Sequence, residues 1–180
     1  MRNPGSIASL PASALLLVSV SLAHAQSSPD PTEAGKAIFK RANCFGCHKW
    51  HGNGGGGYGG DALSLRRTVL THEQIVETVT CGRPGTGMPY FARGSYDAAK
   101  CFEMTRQDVG DRIPPEGGVF LRSPDIEAVA EYVLVKIKGK GEPNYEECVG
   151  FFGNTSRVCD IYKAGSASIG KSSASTESVK

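Results

Sequence analysis

The sequence predicts an all-α domain, and three observations carry that reading. Three segments repeat apolar residues at three- and four-residue steps behind recognisable helix starts. Gly 23 and Pro 10 leave the stretches between them to turns and loops. A Cys-x-x-Cys-His pentapeptide, Cys44-Phe45-Gly46-Cys47-His48, follows directly on the first of these segments. That segment opens with Asp30-Pro31-Thr32-Glu33, an N-cap, a first-turn proline and a returning acid, and runs towards Arg41. Gly35 and Phe39 are four apart and share one face. The second helix starts at Thr71, where Thr71-His72-Glu73-Gln74 reads as a capping box and Ile75, Val76 and Val79 face inward. Ser123-Pro124 starts the third, with Ile126, Val129, Val133 and Ile137 in register and Ala130 and Leu134 flanking them. Lys136 and Lys138 suit its C-terminal end, and Gly139 stops it. In the long stretch from Tyr90 to Arg122, Thr105-Arg106-Gln107-Asp108 opens a short helix and Pro114-Pro115 is a break.

Composition narrows the function classes. The 180 residues are 39% apolar and 21% charged, which suits neither a disordered polymer nor a polytopic membrane protein. Lys+Arg 20 against Asp+Glu 18 gives +2, with no basic run, so nucleic acid is not the expected partner. Residues 1–25 read as a cleaved signal peptide. Arg2 gives the positive start, Ala14 to Val20 the brief apolar stretch, and Ala23-His24-Ala25 the small residues before a cut at Gln26. An uncleaved anchor is the rival, but the apolar run is short for a bilayer. The expectation is therefore an exported protein in the periplasm without stable membrane insertion. Residues 26–163 form the domain. Residues 164–180 are Ser-rich, low in complexity and expected to be disordered.

The pentapeptide carries the chemistry. In a helical turn, thiols three apart leave the same side of the backbone. Cys44 and Cys47 can then add across the two vinyl groups of one porphyrin, and His48 must meet the iron of that ring. Chance alone would supply on the order of 0.004 such pentapeptides in this chain. Zinc would want a second ligand pair, and Cys81, Cys101, Cys148 and Cys159 form no close pair in sequence. One covalent haem c is the reading. For the sixth position, Met88 lies in Gly85-Thr86-Gly87-Met88-Pro89-Tyr90-Phe91, where glycines allow close approach to a ring plane and Pro89 stiffens the exit. Met104, His72 or an open iron face are the alternatives. Met104 reads as a packing residue, and His51 is too close to His48 to reach the opposite face. His51 and His72 read as solvated surface imidazoles.

With these residues in view, the chain resembles the class I, single-haem c-type cytochromes from about Asp30 to Lys138. That resemblance implies the cytochrome c fold: helices packed around one covalent haem, with Gly35 and Phe39 crossing the last helix and an insertion after the axial Met loop. Cys81 to Phe91 and Gly139 to Tyr145 are most similar to periplasmic cytochromes that serve quinoprotein alcohol dehydrogenases. The finer resemblance implies a pyrroloquinoline quinone (PQQ) enzyme as electron donor and an oxidase or another cytochrome as acceptor. The family's Pro after the haem turn is missing, since no Pro lies between Trp50 and Pro84. Some backbone carbonyl in the stretch 60–63 must then accept from the axial His. The seven-glycine run from Trp50 to Gly60 reads as a flexible surface loop. The expected apolar pocket is Phe39, Phe45, Leu63, Leu65, Val79, Tyr90 and Val133. Trp50, Tyr58, Arg66 and Arg67 are candidates to meet the propionates.

The four remaining cysteines suit an oxidising compartment and allow three pairings. Cys81–Cys101 and Cys148–Cys159 are preferred, since each closes a local loop; free buried thiols are the alternative. The expected function is one-electron transfer by a monomer, with no catalytic residue. A tightly bound cytochrome subunit of a dehydrogenase or oxidase is the second reading, and a haem enzyme with an open iron face the third.

Overall fold

The first helix is fixed at its start by a side chain and along its length by a glycine. In the computed structural model, which describes residues 30–57, 60–98 and 101–163, α1 spans Pro31–Arg41. The Asp30 carboxylate accepts from the Thr32 N–H at 2.9 Å and the Thr32 hydroxyl at 2.8 Å, and the backbone bond first of all holds its pKa below the usual value. Glu33 does not return to the cap as expected but pairs with Lys36 at 2.6 Å. A single turn, α2 (Cys44–His48), follows almost without interruption. After it come α3 (His72–Cys81), the short α4 (Arg106–Val109) and α5 (Ser123–Tyr132), whose last residues continue as a π-helical turn, Val133–Ile137. Then α6 (Tyr145–Phe152) and a 3₁₀ helix (Arg157–Tyr162) close the described chain.

The helix starts follow their sequence signals. Thr71 and Gln74 form a reciprocal capping box at α3, and Thr105 and Asp108 form another at α4. One element departs from the all-helical expectation. The glycine run is an antiparallel hairpin, β1 (Gly55–Gly57) against β2 (Gly60–Ala62), with Gly55 opposite Ala62. Glycines hide a strand from any alternation of polar and apolar residues, so only backbone pairing reveals it. The leader 1–25, the tail 164–180 and Tyr58 lie outside the described residues.

The core sits where α1 crosses α5. A Cβ at Gly35 would fall 2.0 Å from the Ala128 carbonyl oxygen and 2.6 Å from the Tyr132 Cβ, so only glycine lets the two backbones meet. Around the crossing, Ile38, Phe39, Ile126, Val129, Ala130 and Val133 are buried, with Ile75 and Val79 supplied by α3. Burying a Phe39-sized side chain is worth roughly 3 kcal/mol. A second, smaller cluster gathers Cys81, Tyr90, Tyr96, Cys101 and Val109 beneath the insertion, with Met104 against it. Tyr90, expected in the main pocket, belongs here, and its hydroxyl donates to Glu116 at 2.6 Å. Two disulfides tie the chain, Cys81–Cys101 in this cluster and Cys148–Cys159 between α6 and the 3₁₀ helix.

Two stability measurements check this description. Gly35→Ala should cost about 3 kcal/mol through overpacking against Ala128 and Tyr132, read as a lowered Tm with unchanged helical circular dichroism at 20 °C. Replacing Cys148 and Cys159 together by Ser should remove about 3 kcal/mol, read as an earlier denaturant midpoint. An unchanged midpoint would show that the bridge adds nothing to the docking of α6.

Candidate functional site

The haem-type turn is built on a backbone kink. Ala42 N–H still donates to the Ile38 carbonyl at 2.8 Å, and the next residue, Asn43, breaks the helix at φ 57°. Asn is among the side chains that tolerate the left-handed region. From there the chain re-enters one helical turn, with Gly46 N–H donating to the Asn43 carbonyl at 3.0 Å. The Asn43 side chain lies over Gly46, where a Cβ would fall 2.8 Å from its amide nitrogen. Lys49, at φ 63°, ends the turn.

Cys44 and Cys47 carry free thiols, in a chain whose other four cysteines are paired. Burial pushes the Cys44 thiol up to about 12, so it is a neutral thiol at physiological pH. His48 is half-buried, and its Nδ1 stands 3.1 Å from the Leu63 carbonyl oxygen. Of the stretch 60–63 left open by the sequence, Leu63 is thus the residue whose carbonyl meets this ring. Burial, with the Arg83 charge adding to it, holds the His48 pKa below its ordinary value, against the raising effect of that carbonyl. A neutral imidazole donates from Nδ1 to the carbonyl and keeps the Nε2 lone pair for a metal. The hairpin brings Leu63 into place: Gly54 N–H donates to the His48 carbonyl at 3.1 Å, and Lys49 Nζ donates to the Gly56 carbonyl at 2.6 Å.

Met88 is partly buried against the main core. Its loop is fastened at both ends. Gly82, at φ 65°, sits so close to the Met88 carbonyl that a Cβ there would fall 2.6 Å from it, and Arg83 N–H donates to the same carbonyl at 3.1 Å. The insertion supplies further bonds: Gly85 N–H to the Arg112 carbonyl at 2.6 Å, Tyr90 N–H to the Pro115 carbonyl at 3.1 Å, and Gly117 N–H to the Tyr90 carbonyl at 2.9 Å. Phe91 N–H donates to the Val79 carbonyl at 3.1 Å, tying the loop to α3. The sequence credited Pro89 with stiffening this exit; the structure adds the residues 101–117 as a brace behind it.

Several expected neighbours serve other ends. Trp50 packs its ring on Phe151, Phe152 and Tyr162 of the C-terminal segment. Each of the three Arg66 nitrogens already donates, to the His51 carbonyl, the Gly141 carbonyl and Glu147. Arg67 is exposed. His51 is half-buried and accepts from Asn53 N–H at 3.2 Å, and His72 lies 3.4 Å from Glu127, so neither is a free surface imidazole. Phe45 packs edge-on against Phe151, with 36% of its surface exposed, and Leu63 keeps 66% exposed. Sequence reasoning gave no role to Phe151, which meets Phe45 of the turn from 106 positions away, or to Glu147, which pairs with Arg66 from 81 positions away.

The donor set fits a tetrapyrrole better than a bare ion. Among the described residues no three His, Cys, Asp or Glu side chains converge on one point, which leaves Cys44, Cys47 and His48 without the geometry of a zinc site. Two unpaired thiols, a neutral imidazole with a free Nε2 and apolar surface at Leu63 are what covalent attachment and axial ligation require. A surface hollow of about 350 Å³ between α3 and α5, lined by His72, Glu73, Glu77 and Glu127, contains none of these groups.

Among protein-family models, "Cytochrome C oxidase, cbb3-type, subunit III" matches residues 30–133. Searches of curated proteins and of solved structures gave no match. With α1, the Cys-x-x-Cys-His turn, the Met88 loop and α5 all inside a match that spans more than half of the sequence, the chain belongs to the cbb3-type cytochrome c oxidase subunit III family and is a c-type cytochrome domain, a class that carries covalent haem c and moves electrons.

Proposed function

We propose that the protein is an exported one-electron carrier working through a single haem c, with Cys44 and Cys47 as thioether anchors and His48 and Met88 as axial ligands. The observation that carries this reading is the pair of free thiols one turn apart, next to an imidazole whose Nδ1 is committed to the Leu63 carbonyl. When bound, the haem supplies an iron that changes charge by one electron. The chain's part is to hold the ligands still. The Leu63 carbonyl fixes the tautomer and tilt of His48. The bonds of Gly85, Tyr90 and Phe91 keep the Met88 loop from relaxing between redox states. In this reading residues 1–25 are removed on export, 26–163 form the domain with its disulfide-closed extension, and 164–180 are a solvated tail.

We assign the donor to a PQQ-dependent alcohol dehydrogenase, on the likeness of residues 81–91 and 139–145 to cytochromes that serve such enzymes. The acceptor is an oxidase or another cytochrome. Net charge near +1 after export gives weak long-range steering, so docking relies on local contacts such as Lys49, Arg83 and Arg93. The family name favours a second reading, a subunit held in a larger oxidase or dehydrogenase; gel filtration of native extracts separates the two, since a free carrier elutes near its own mass.

Mass spectrometry of the secreted protein should show one added macrocycle, lost when Cys44 and Cys47 are both changed to Ser. An unmodified wild-type mass would end the proposal. Met88→Ala should retain the macrocycle yet lose the far-red absorption band of a sulfur–iron bond; a retained band would move the sixth ligand to Met104. Electron exchange with the physiological donor should slow only about two- to threefold between 20 and 200 mM salt, and a steep dependence would contradict weak steering.

A further inference from the structure

The segment beyond the family match is tied to the loop that follows the haem-type turn through one buried charge. The Arg66 side chain is 4% exposed. Its Nε donates to the His51 carbonyl at 2.6 Å and its Nη1 to the Gly141 carbonyl at 2.6 Å, while Nη2 is paired with the Glu147 carboxylate. Its backbone works in the same place. The N–H groups of Leu65 and Arg66 donate to the Gly52 carbonyl at 2.7 and 3.3 Å, and the Arg66 carbonyl accepts from Gly139 N–H at 2.9 Å. These bonds close the loop that leaves His48 and returns at Leu63, the residue whose carbonyl holds the His48 ring. A guanidinium this deep needs a paired anion, because an unpaired buried charge is strongly destabilising.

Glu147 is that anion, and it is held in turn. Its N–H donates to the Asn144 side chain at 2.9 Å at the start of α6, and the neighbouring Cys148 is bridged to Cys159. Lys36 Nζ donates to the Gly150 carbonyl at 2.9 Å, Lys40 donates to the Phe151 carbonyl, and the Lys40 ammonium lies 4.4 Å from the centre of the Phe151 ring. The extension is thus seated on α1 and, through Phe151, against Phe45 of the turn.

We propose that Glu147 is a positioning residue for His48, acting through Arg66, so that the docked extension sets the basicity of the axial ligand and with it the reduction potential. The inference rests on the haem reading of the site. A well-placed carbonyl on Nδ1–H raises the electron density at Nε2 and favours the oxidised iron. The Glu147 charge also cancels the field of Arg66 at the turn. Loss of the carboxylate relaxes the first effect and removes the second, and both changes favour reduction.

The test compares the secreted holoprotein with E147Q, E147D and E142Q. Glu142 is an exposed carboxylate near the same loop that makes no bond to Arg66, so E142Q removes equal charge without touching the relay. Two quantities are read: the midpoint potential by spectroelectrochemistry, and the exchange rate of the His48 Nδ1 proton by NMR. E147Q should raise the reduced-to-oxidised ratio severalfold at a fixed ambient potential and speed that proton exchange, E147D should fall between, and E142Q should follow the wild type. An E147Q potential equal to that of the wild type, or an equal rise in E142Q, overturns the proposal. Should E147Q fail to keep its haem, E147D decides alone, and wild-type values in it overturn the proposal as well. A wild-type protein without haem is a different failure, that of the functional reading itself.

Discussion

Everything in this molecule hangs on the place where α1 and α5 touch at Gly35. Helices usually pack 8–10 Å apart, with side chains between them. Here the Ala128 carbonyl and the Tyr132 Cβ occupy the space a side chain at 35 would need, so the two backbones meet directly. That contact fixes the exit direction of α1, and α1 runs without a linker into Asn43 and the turn of Cys44, Cys47 and His48. The site is therefore aimed by the core itself.

A turn with only two residues of lead-in needs support from outside to hold His48 in place, and the candidate site draws it from two separate pieces of chain. The glycine hairpin delivers the Leu63 carbonyl to His48, its strands short and almost free of side chains so that they lie close to the turn. The insertion braces the Met88 loop through backbone bonds to Arg112, Pro115 and Gly117, with the Cys81–Cys101 bridge and the Tyr96 hydroxyl, which donates to the Cys81 carbonyl at 2.6 Å, holding its root. Thioether sulfur is a weak ligand, so a loop presenting one gains from being held in place by the protein.

Much of this was legible beforehand. The caps at Asp30, Thr71 and Thr105 are local chemistry, readable because a side chain answers its own backbone two or three residues away. The apolar register of α5 and of the π-helical turn after it is equally local, and Ile126, Val129, Val133 and Ile137 are all buried. The hairpin was not legible, since glycines carry no pattern. Tyr90 was placed in the wrong cluster because its partner, Glu116, lies 26 residues on. Arg66 looked free for a propionate because nothing in the sequence pairs it with Glu147, 81 positions away.

The sequence by itself determined the helices and the candidate ligands: Cys44, Cys47 and His48 stand at a spacing that only a helical turn turns to one side, and Met88 stands in a loop preset by its own glycines and proline. Those are statements about neighbours along the chain, and covalent geometry enforces them at short range. Tertiary structure alone decided which carbonyl meets His48, what braces Met88 and what neutralises Arg66. Each of these joins backbone or charge across 15 to 81 residues, and such bonds exist only once burial has brought the segments together and taken away the water that would otherwise satisfy them.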